Sequence, residues 1–316
     1  MNATGPLVLD TMPRIERGLS TASNTRCSTR RRTHVIQPAP APGEREVMSA
    51  GALARHGLEG PTSLLSLTDE EVLALVDDPE QEAVHLPWVS AQEGSDQGFS
   101  RLQARLSSAR SLFARGILAP EFAVAQIEGR TPRTDTGRPT PNALVTGIIV
   151  RRRHAVVTVD AVDELRPRGA LQLFVDSDGS ILQEQVSAEG IHHFVMTEQE
   201  SALGVLRAFC VPVHDAKERH TAPVEDGQRA LWEGPADDFL DDEDLQNSVG
   251  EYTACVRIQS TGENVGTLWI LTGTRALALI QESEDDPLRA DAISLMDHEV
   301  SSVLASVVEA GIYRVT

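Results

Sequence analysis

Histidine is the residue type that comes nearest to a catalytic or metal-binding pattern in this sequence. His192 and His193 are adjacent in a segment typical of a β-strand, where neighbouring side chains point to opposite faces. One metal ion is therefore not easily bound by both of them. His298 lies between Asp297 and Glu299 and is the third histidine that could serve a metal-dependent hydrolase together with acidic residues.

A second histidine pair, His214 and His220, flanks Lys217, which is the only lysine in the chain. No histidine in the sequence has the HExxH spacing, and there is no paired CxxC, so the zinc patterns are missing. A Schiff-base lysine normally requires a desolvated pocket, whereas Lys217 lies in a polar segment. We expect each of these histidines to be hydrogen-bonded within the protein or exposed to solvent.

The other familiar chemical motifs are also missing. The sequence has no glycine-rich phosphate loop and no GxSxG nucleophile elbow. The Asp-Ser-Asp-Gly segment at 176–179 has two ligands of a calcium loop but lacks the third ligand and the glutamate at position twelve, so it favours a hairpin turn. The sequence therefore predicts a protein that is not an enzyme, with no catalytic, cofactor-binding or metal-binding residue and no cofactor.

The three cysteines are Cys27, Cys210 and Cys255. Their odd number and the absence of metal-ligand spacing indicate free thiols in a reducing compartment. Cys210 and Cys255 are surrounded by apolar residues, so we expect both to be buried.

The charge balance narrows the classes of partner. The chain has 47 acidic and 28 basic residues, which gives a net charge of −19. Nucleic acids and anionic membrane surfaces are disfavoured partners because both attract basic proteins. The longest apolar run, at 143–150, has about eight residues, whereas a membrane helix needs about 20. These features predict a cytoplasmic protein with a protein partner.

Residues 1–47 differ from the rest of the chain. They contain seven arginines and four acids, so residues 48–316 carry −22. The segment has no apolar stretch of the kind that follows the charges of a secretory signal. We predict that residues 1–47 are disordered, and Met48 could be the true start of the protein. A basic interaction arm is the alternative.

The remainder, 48–316, is predicted to be a single α+β domain that begins with a helical segment. Thr68 and Glu71 form a capping box for a helix over 67–79, and Gly116 is placed to end a helix over 98–116. A further short helix is predicted at 120–128. The inward face of the helix over 98–116 is predicted to consist of Phe99, Leu102, Leu106, Ala109 and Phe113, with Leu112 widening the apolar stripe.

Strand-like patterns follow from residue 142 onward. Strands are predicted at 145–150, 155–160, 171–175, 181–186, 191–196, 252–259, 266–272 and 275–281. A second capping box, Thr197 with Glu200, opens a helix that runs to about Phe209, and a final helix is predicted from Leu288 to Ala310. Residues 142–212 and 251–316 therefore share the same order of elements, which is several strands followed by a helix. This order suggests two quasi-duplicated halves, each with antiparallel strands and a helix packed on them.

Two aromatic positions invite a functional interpretation. Trp88 follows a proline in a predicted loop, where it could be a ligand platform, although plugging the edge of the core is the preferred interpretation. Phe239 and Leu240 lie among acids in the predicted acidic loop 213–250, a pattern common in docking segments.

The run Arg101–Leu118 (RLQARLSSARSLFARGIL) resembles a helix of the EspG-like proteins of actinobacterial type VII secretion, which ends in R-x-L-x-x-R-G-L. The order of elements over 64–316 is similar as well. The resemblance implies a cytoplasmic chaperone that covers the apolar tip of a helical secretion substrate with a concave sheet face. No partner-binding residue can be matched individually.

Three hypotheses follow. The first, which we favour, is a non-catalytic chaperone or adaptor that binds a protein through sheet edges or a sheet face, as a monomer or homodimer. The second is a structural or regulatory module that dimerises through the apolar stripe at 293–308, although packing of that stripe in the core is the preferred interpretation. The third is a metal-dependent hydrolase that uses His192, His193 or His298.

Overall fold

The computed structural model describes residues 41–309 with short gaps. The gaps are 58–59, 77–78, 80–83, 96–97, 134–138, 167–168, 213–229, 237, 262–266, 283–285 and 287. The described residues form an α+β fold, which confirms the predicted class. The nine α-helices of this part of the chain are α1 (Glu44–Gly57), α2 (Asp69–Leu75), α3 (Pro87–Glu93), α4 (Arg101–Ala114), α5 (Glu121–Ile127), α6 (Ala143–His154), α7 (Gln199–Cys210), α8 (Glu243–Val249) and α9 (Asp297–Glu309).

Ten strands build one antiparallel sheet, and two short strands, β2 (Leu118–Ala119) and β3 (Thr140–Pro141), form a separate pair. The strands of the large sheet are β1 (Thr62–Thr68), β4 (Val157–Asp163), β5 (Ala170–Val175), β6 (Ile181–Val186), β7 (Ile191–Thr197), β8 (Ala230–Pro235), β9 (Tyr252–Ser260), β10 (Leu268–Gly273), β11 (Leu277–Glu282) and β12 (Arg289–Leu295).

The strand order of the large sheet is β1-β7-β6-β5-β4-β9-β10-β11-β12-β8, with β4 and β9 paired at its centre. Four consecutive strands and a helix (β4 to β7, then α7) therefore lie on one side of the centre. The same sequence of elements (β9 to β12, then α9) lies on the other side. The two halves match in element order, and their origin by duplication stays a prediction.

Helices pack on both faces of the inner strands in the first half of the sheet. Alternate residues of β4 and β5, such as Leu171 and Leu173, pack on one face in a cluster with α7 and α9. Phe174 and Leu182 face the other way and pack with residues of the helical segment 44–154. Strands β5 and β6 are consequently buried on both faces, apart from Gln185. Toward the sheet edge, Gln185, His193 and Ser66 form an exposed polar row across β6, β7 and β1 on the same face as Leu171.

Helix α6 corrects the prediction of a strand at 145–150. Asn142 caps its first turn by accepting a hydrogen bond from the Val145 backbone N–H at 3.0 Å. The helix packs closely on α1: a Cβ placed on Gly147 would lie 2.7 Å from the Ser49 carbonyl oxygen and from Leu53. Since α6 is buried on most sides, its apolar residues show no helical period, and their β-branched run imitates a strand.

Several predicted boundaries differ in the structure. Residues 289–295 of the predicted final helix form β12, so the helix begins only at Asp297. Residues 230–249 of the predicted acidic loop contain β8, a short 3₁₀ turn and α8, while 213–229 lie outside the described residues. Trp88 lies in the first turn of α3 rather than in a loop, because Pro87 suits that position.

Two capping predictions had different outcomes. The Thr68–Glu71 capping box is present at the start of α2. The Thr197–Glu200 box is wrong, because the N-cap of α7 is Glu198, which makes no side-chain capping bond.

The end of the segment 1–47 is helical, which corrects the predicted boundary of disorder, while residues 1–40 lie outside the described residues. Arg45 holds the first turn of α1. Its guanidinium forms an ion pair with Glu128 at 2.9 Å and donates to the Pro141 carbonyl at 2.7 Å. These contacts order the chain from Glu44 onward.

Candidate functional site

A buried cluster of charged side chains surrounds His192 on β7. The two ring nitrogens lie at hydrogen-bond distance from two carboxylates: Nδ1 is 2.6 Å from Glu184 Oε1, and Nε2 is 2.9 Å from Asp69 Oδ1. All three side chains are fully buried. A neutral imidazole has one N–H, so only the protonated ring can donate to both carboxylates.

Local structure brings Asp69 to this histidine. Asp69 is the first residue of α2, directly after β1, and its backbone N–H donates to the Gly190 carbonyl at 2.8 Å. Its second carboxylate oxygen accepts from the Val89 backbone N–H of α3 at 3.0 Å. Gly190 has φ +75° in the turn before β7 and leaves room for the Asp69 side chain. The cluster thus joins α2 and α3 to the sheet.

Arg152 of α6 completes the cluster. Its Nε lies 3.1 Å from Glu184 Oε2 as an ion pair that is not aligned as a hydrogen bond, and its guanidinium lies 5.4 Å from the centre of the Phe174 ring. The charges of Asp69 and Glu184 are balanced by those of Arg152 and protonated His192. A buried group of this kind is stable only while it remains complete.

The electrostatics of the cluster favour the charged forms. Burial acts to lower the pKa of His192, but the hydrogen bonds to Asp69 and Glu184 outweigh it, and the pKa is raised. Burial likewise acts to raise the pKa of Glu184, but the charge of Arg152 and the contact with His192 outweigh it, and the pKa is lowered.

A polar row across the sheet extends the cluster toward solvent. Asp160, Gln172 and Glu184 are direct partners on the neighbouring strands β4, β5 and β6. Asp160 is partly exposed and lies 2.7 Å from Nε2 of His85, which comes shortly before α3. His85 therefore lies at the solvent-facing end of the row and His192 at its buried end.

The structure does not bring together the histidines of the hydrolase hypothesis. His193 points away from His192, is exposed and lies 2.7 Å from Ser66 Oγ, as expected for neighbours on a strand. His298 is exposed in the first turn of α9, which follows the strand next to the opposite edge of the sheet. His214, Lys217 and His220 lie outside the described residues. Among the residues that are described, no group of three or more His, Cys, Asp or Glu side chains is arranged to hold a metal ion.

Ion pairs also account for the calcium-like segment at 176–179. Arg151 is buried, and its guanidinium lies 3.3 Å from Asp176 and 3.5 Å from Asp178. The segment forms the predicted turn between β5 and β6. The positive charge that a calcium ion would supply is thus provided by an arginine.

The cysteines and the predicted docking pair belong to the core. Cys210 and Cys255 are buried and form no disulfide, and burial raises the pKa of the Cys255 thiol; Cys27 lies outside the described residues. Phe239 is buried between Trp232 and Trp269, with ring centres 6.4 and 5.3 Å away. The docking interpretation of Phe239 is therefore wrong, because its side chain is buried in the core. The two tryptophans lie within 30 residues of Phe239, but the sequence pattern does not show that they pack on it.

The apolar stripe of the last helix is buried as well. Val300, Leu304, Val307 and Val308 pack on the sheet in the cluster that also contains α7. This confirms the interpretation as core and corrects the alternative in which that stripe mediates dimerisation.

Helix α4 contains a different surface, which we call the α4 seam: Leu102, Leu106, Ala109 and Phe113. The sequence predicted that these residues face inward, and the structure shows the reverse. Leu102, Leu106 and Phe113 are 67%, 60% and 41% exposed, whereas Leu112 is fully buried. The first residue of the predicted stripe, Phe99, precedes the helix and packs at 5.8 Å, edge to face, on Trp88.

Polar contacts orient α4 with its seam outward. The buried carboxylate of Glu71 on α2 accepts from Ser111 Oγ at 2.8 Å and from Arg115 at 2.5 Å. Arg105 donates to the Val76 carbonyl at 3.1 Å, just beyond the end of α2. These bonds fix the face of α4 that includes Leu112 against α2, and Leu102, Leu106 and Phe113 on the other side of the helix are exposed.

No protein-family model matches this sequence, and no curated protein sequence is significantly similar to it. In the part of the chain that the structure describes, no helix is long and apolar enough to cross a bilayer.

Proposed function

We propose that this chain is a non-catalytic, cytoplasmic chaperone or adaptor that binds a helical protein partner, of the kind exported by type VII secretion. The observation that supports the proposal is the α4 seam. Three large apolar side chains on one ordered helix are exposed together, and contiguous apolar surface of this kind is typical of protein-binding sites.

The chemistry of the rest of the molecule agrees with a binding role. The buried charges around His192 pair with one another, so we assign the cluster the role of an anchor for α2, α3 and α6. The net charge of −19 disfavours nucleic acid as a partner. It also supports the solubility of a protein that has an exposed apolar surface.

The resemblance to EspG-like chaperones supports the choice of partner, since it includes the very helix that carries the seam. The binding surface differs from the one that the resemblance implied. Strands β5 and β6 are covered on both faces apart from Gln185, and the exposed row at the sheet edge is polar, so we assign partner binding to α4 rather than to a concave sheet.

Purification of the full-length tagged chain from its native host tests the proposal. Proteins that co-purify would be identified, produced separately and mixed with the pure chain, and light scattering would give the mass of any complex. We expect a complex of defined stoichiometry with a mainly helical protein. Repeated failure of every candidate to form such a complex would refute the proposal, as would chemical turnover of the partner.

A further inference from the structure

The α4 seam has the spacing of a coiled-coil surface. Leu102, Leu106, Ala109 and Phe113 are separated by steps of four, three and four residues, which are the d-a-d-a positions of two heptads. They extend over about 16 Å of helix. A second amphipathic helix is the element that fits such a seam, since its own a and d side chains pack between these residues.

Arginine occupies two of the four e and g positions beside the seam, and the other two are Gln103 and the buried Leu112. In the heptad register set by Leu102, Arg105, which also donates to the Val76 carbonyl, is at position g, and Arg110 is at position e. At 100° per residue, each lies about 70° from the centre of the seam, one on either side. Arg110 is exposed, and no described residue forms an ion pair with it. Helix α4 itself contains no acidic residue.

We propose that the α4 seam binds an amphipathic helix of the partner that carries Glu or Asp beside its apolar stripe. The inference rests on the proposed function and specifies the chemistry of its partner. Charges at e and g decide which helices pair and in which orientation. A second copy of α4 does not fit, since Arg105 and Arg110 would face arginines in either orientation.

The test uses the full chain and two fluorescent peptides of three heptads with the same leucine and isoleucine stripe. One has Glu at every e and g position, and the other has Lys there. Like charges keep each peptide monomeric. Fluorescence anisotropy at low salt is expected to show about tenfold tighter binding of the Glu peptide, with the difference narrowing as salt is added.

Three variants locate the binding site and test its charge preference. Leu106→Asp places a charge in the seam and is expected to abolish binding; since Leu106 is largely exposed, its thermal melting should be unchanged. Ile127→Asp is the matched control, because Ile127 is an even more exposed apolar residue on α5. Arg110→Glu is expected to reduce the preference for the Glu peptide.

Several results would overturn the inference: no binding of the Glu peptide, equal affinity for both peptides, or equal loss in Leu106→Asp and Ile127→Asp. Its failure is distinguishable from failure of the proposed function. If Leu106→Asp retains the host partner, the chain is still an adaptor but α4 is not its binding site. If the peptide binds and no host protein forms a complex, the α4 inference stands and the proposed function falls.

Discussion

Replacement of His192 by Gln is expected to destabilise the fold strongly. The substitution removes the positive charge between Asp69 and Glu184 and leaves one carboxylate charge unbalanced in a fully buried site. Removal of one member of a buried ionic group typically costs about 3–5 kcal/mol. His193→Gln is the matched control, since His193 is the next residue on the same strand but is exposed, and we expect it to cost less than about 0.5 kcal/mol.

The effect depends on pH because the pKa of His192 is raised in the folded protein. A raised pKa stabilises the fold fully below the unfolded value near 6.5, and the contribution is lost as the pH rises through the folded value. The groups that face the ring are Asp69, Glu184 and Arg152, with His85 near enough to influence Glu184. The free-energy difference between wild type and His192→Gln should therefore decrease as the pH rises from about 6.5 toward the folded pKa.

Urea unfolding followed by tryptophan fluorescence measures both effects, because Trp88 lies beside the cluster. The free energy of unfolding would be compared between wild type and the two histidine variants in steps from about pH 5.5 to 8. Equal losses in His192→Gln and His193→Gln would refute the reasoning. If the difference in free energy of unfolding between wild type and His192→Gln instead grew with pH, it would contradict the predicted loss of stabilisation as His192 is deprotonated.

Four further substitutions test individual features of the structure. Leu112→Ala should lower the free energy of unfolding by about 2–5 kcal/mol, and Leu106→Ala by less than about 0.5 kcal/mol, since only Leu112 is buried. A larger loss of thermal stability in Leu106→Ala than in Leu112→Ala would show that the opposite face of α4 is buried. Gly190→Ala should cost about 2–4 kcal/mol in urea unfolding, because φ is +75° and the new Cβ would lie 2.7 Å from Asp69 and Trp88; an unchanged midpoint would contradict this. Hydrogen bonds from Arg130 lower the pKa of Glu121 to about 2, so its stabilisation is lost as the pH falls from 4.5 toward 2. Glu121→Gln should cost about 2 kcal/mol at pH 7 and weaken that acid dependence, and an acid-unfolding curve identical to the wild type would argue against it.

The sequence predicts the elements with the strongest local signals. The capping box at Thr68, the turn between β5 and β6, and Gly116 at the end of α4 with φ +68° all depend on residues that are close in sequence. Helix α6 was missed because burial on most sides removes the helical period that identifies a helix. Its cap, Asn142, was a local signal that could have indicated the helix.

The candidate sites depend on contacts between distant residues, which one sequence does not show. The partners of His192 include Asp69, which is 123 residues away. The pattern of α4 gave the correct stripe but the wrong face. The other face of α4 packs on α2 through small residues and through hydrogen bonds to Glu71. Hydrophobic periodicity identifies apolar faces only, so it does not predict a helix face that is fixed by polar contacts.

Hydrogen–deuterium exchange of the full chain, with and without the protein that co-purifies with it, tests most directly whether α4 is the surface that binds the partner. We predict slower exchange of the backbone amides of 101–114 in the complex, with little change in the central strands. Unchanged exchange in α4, together with protection at β1, β8 or another surface, would contradict the assignment.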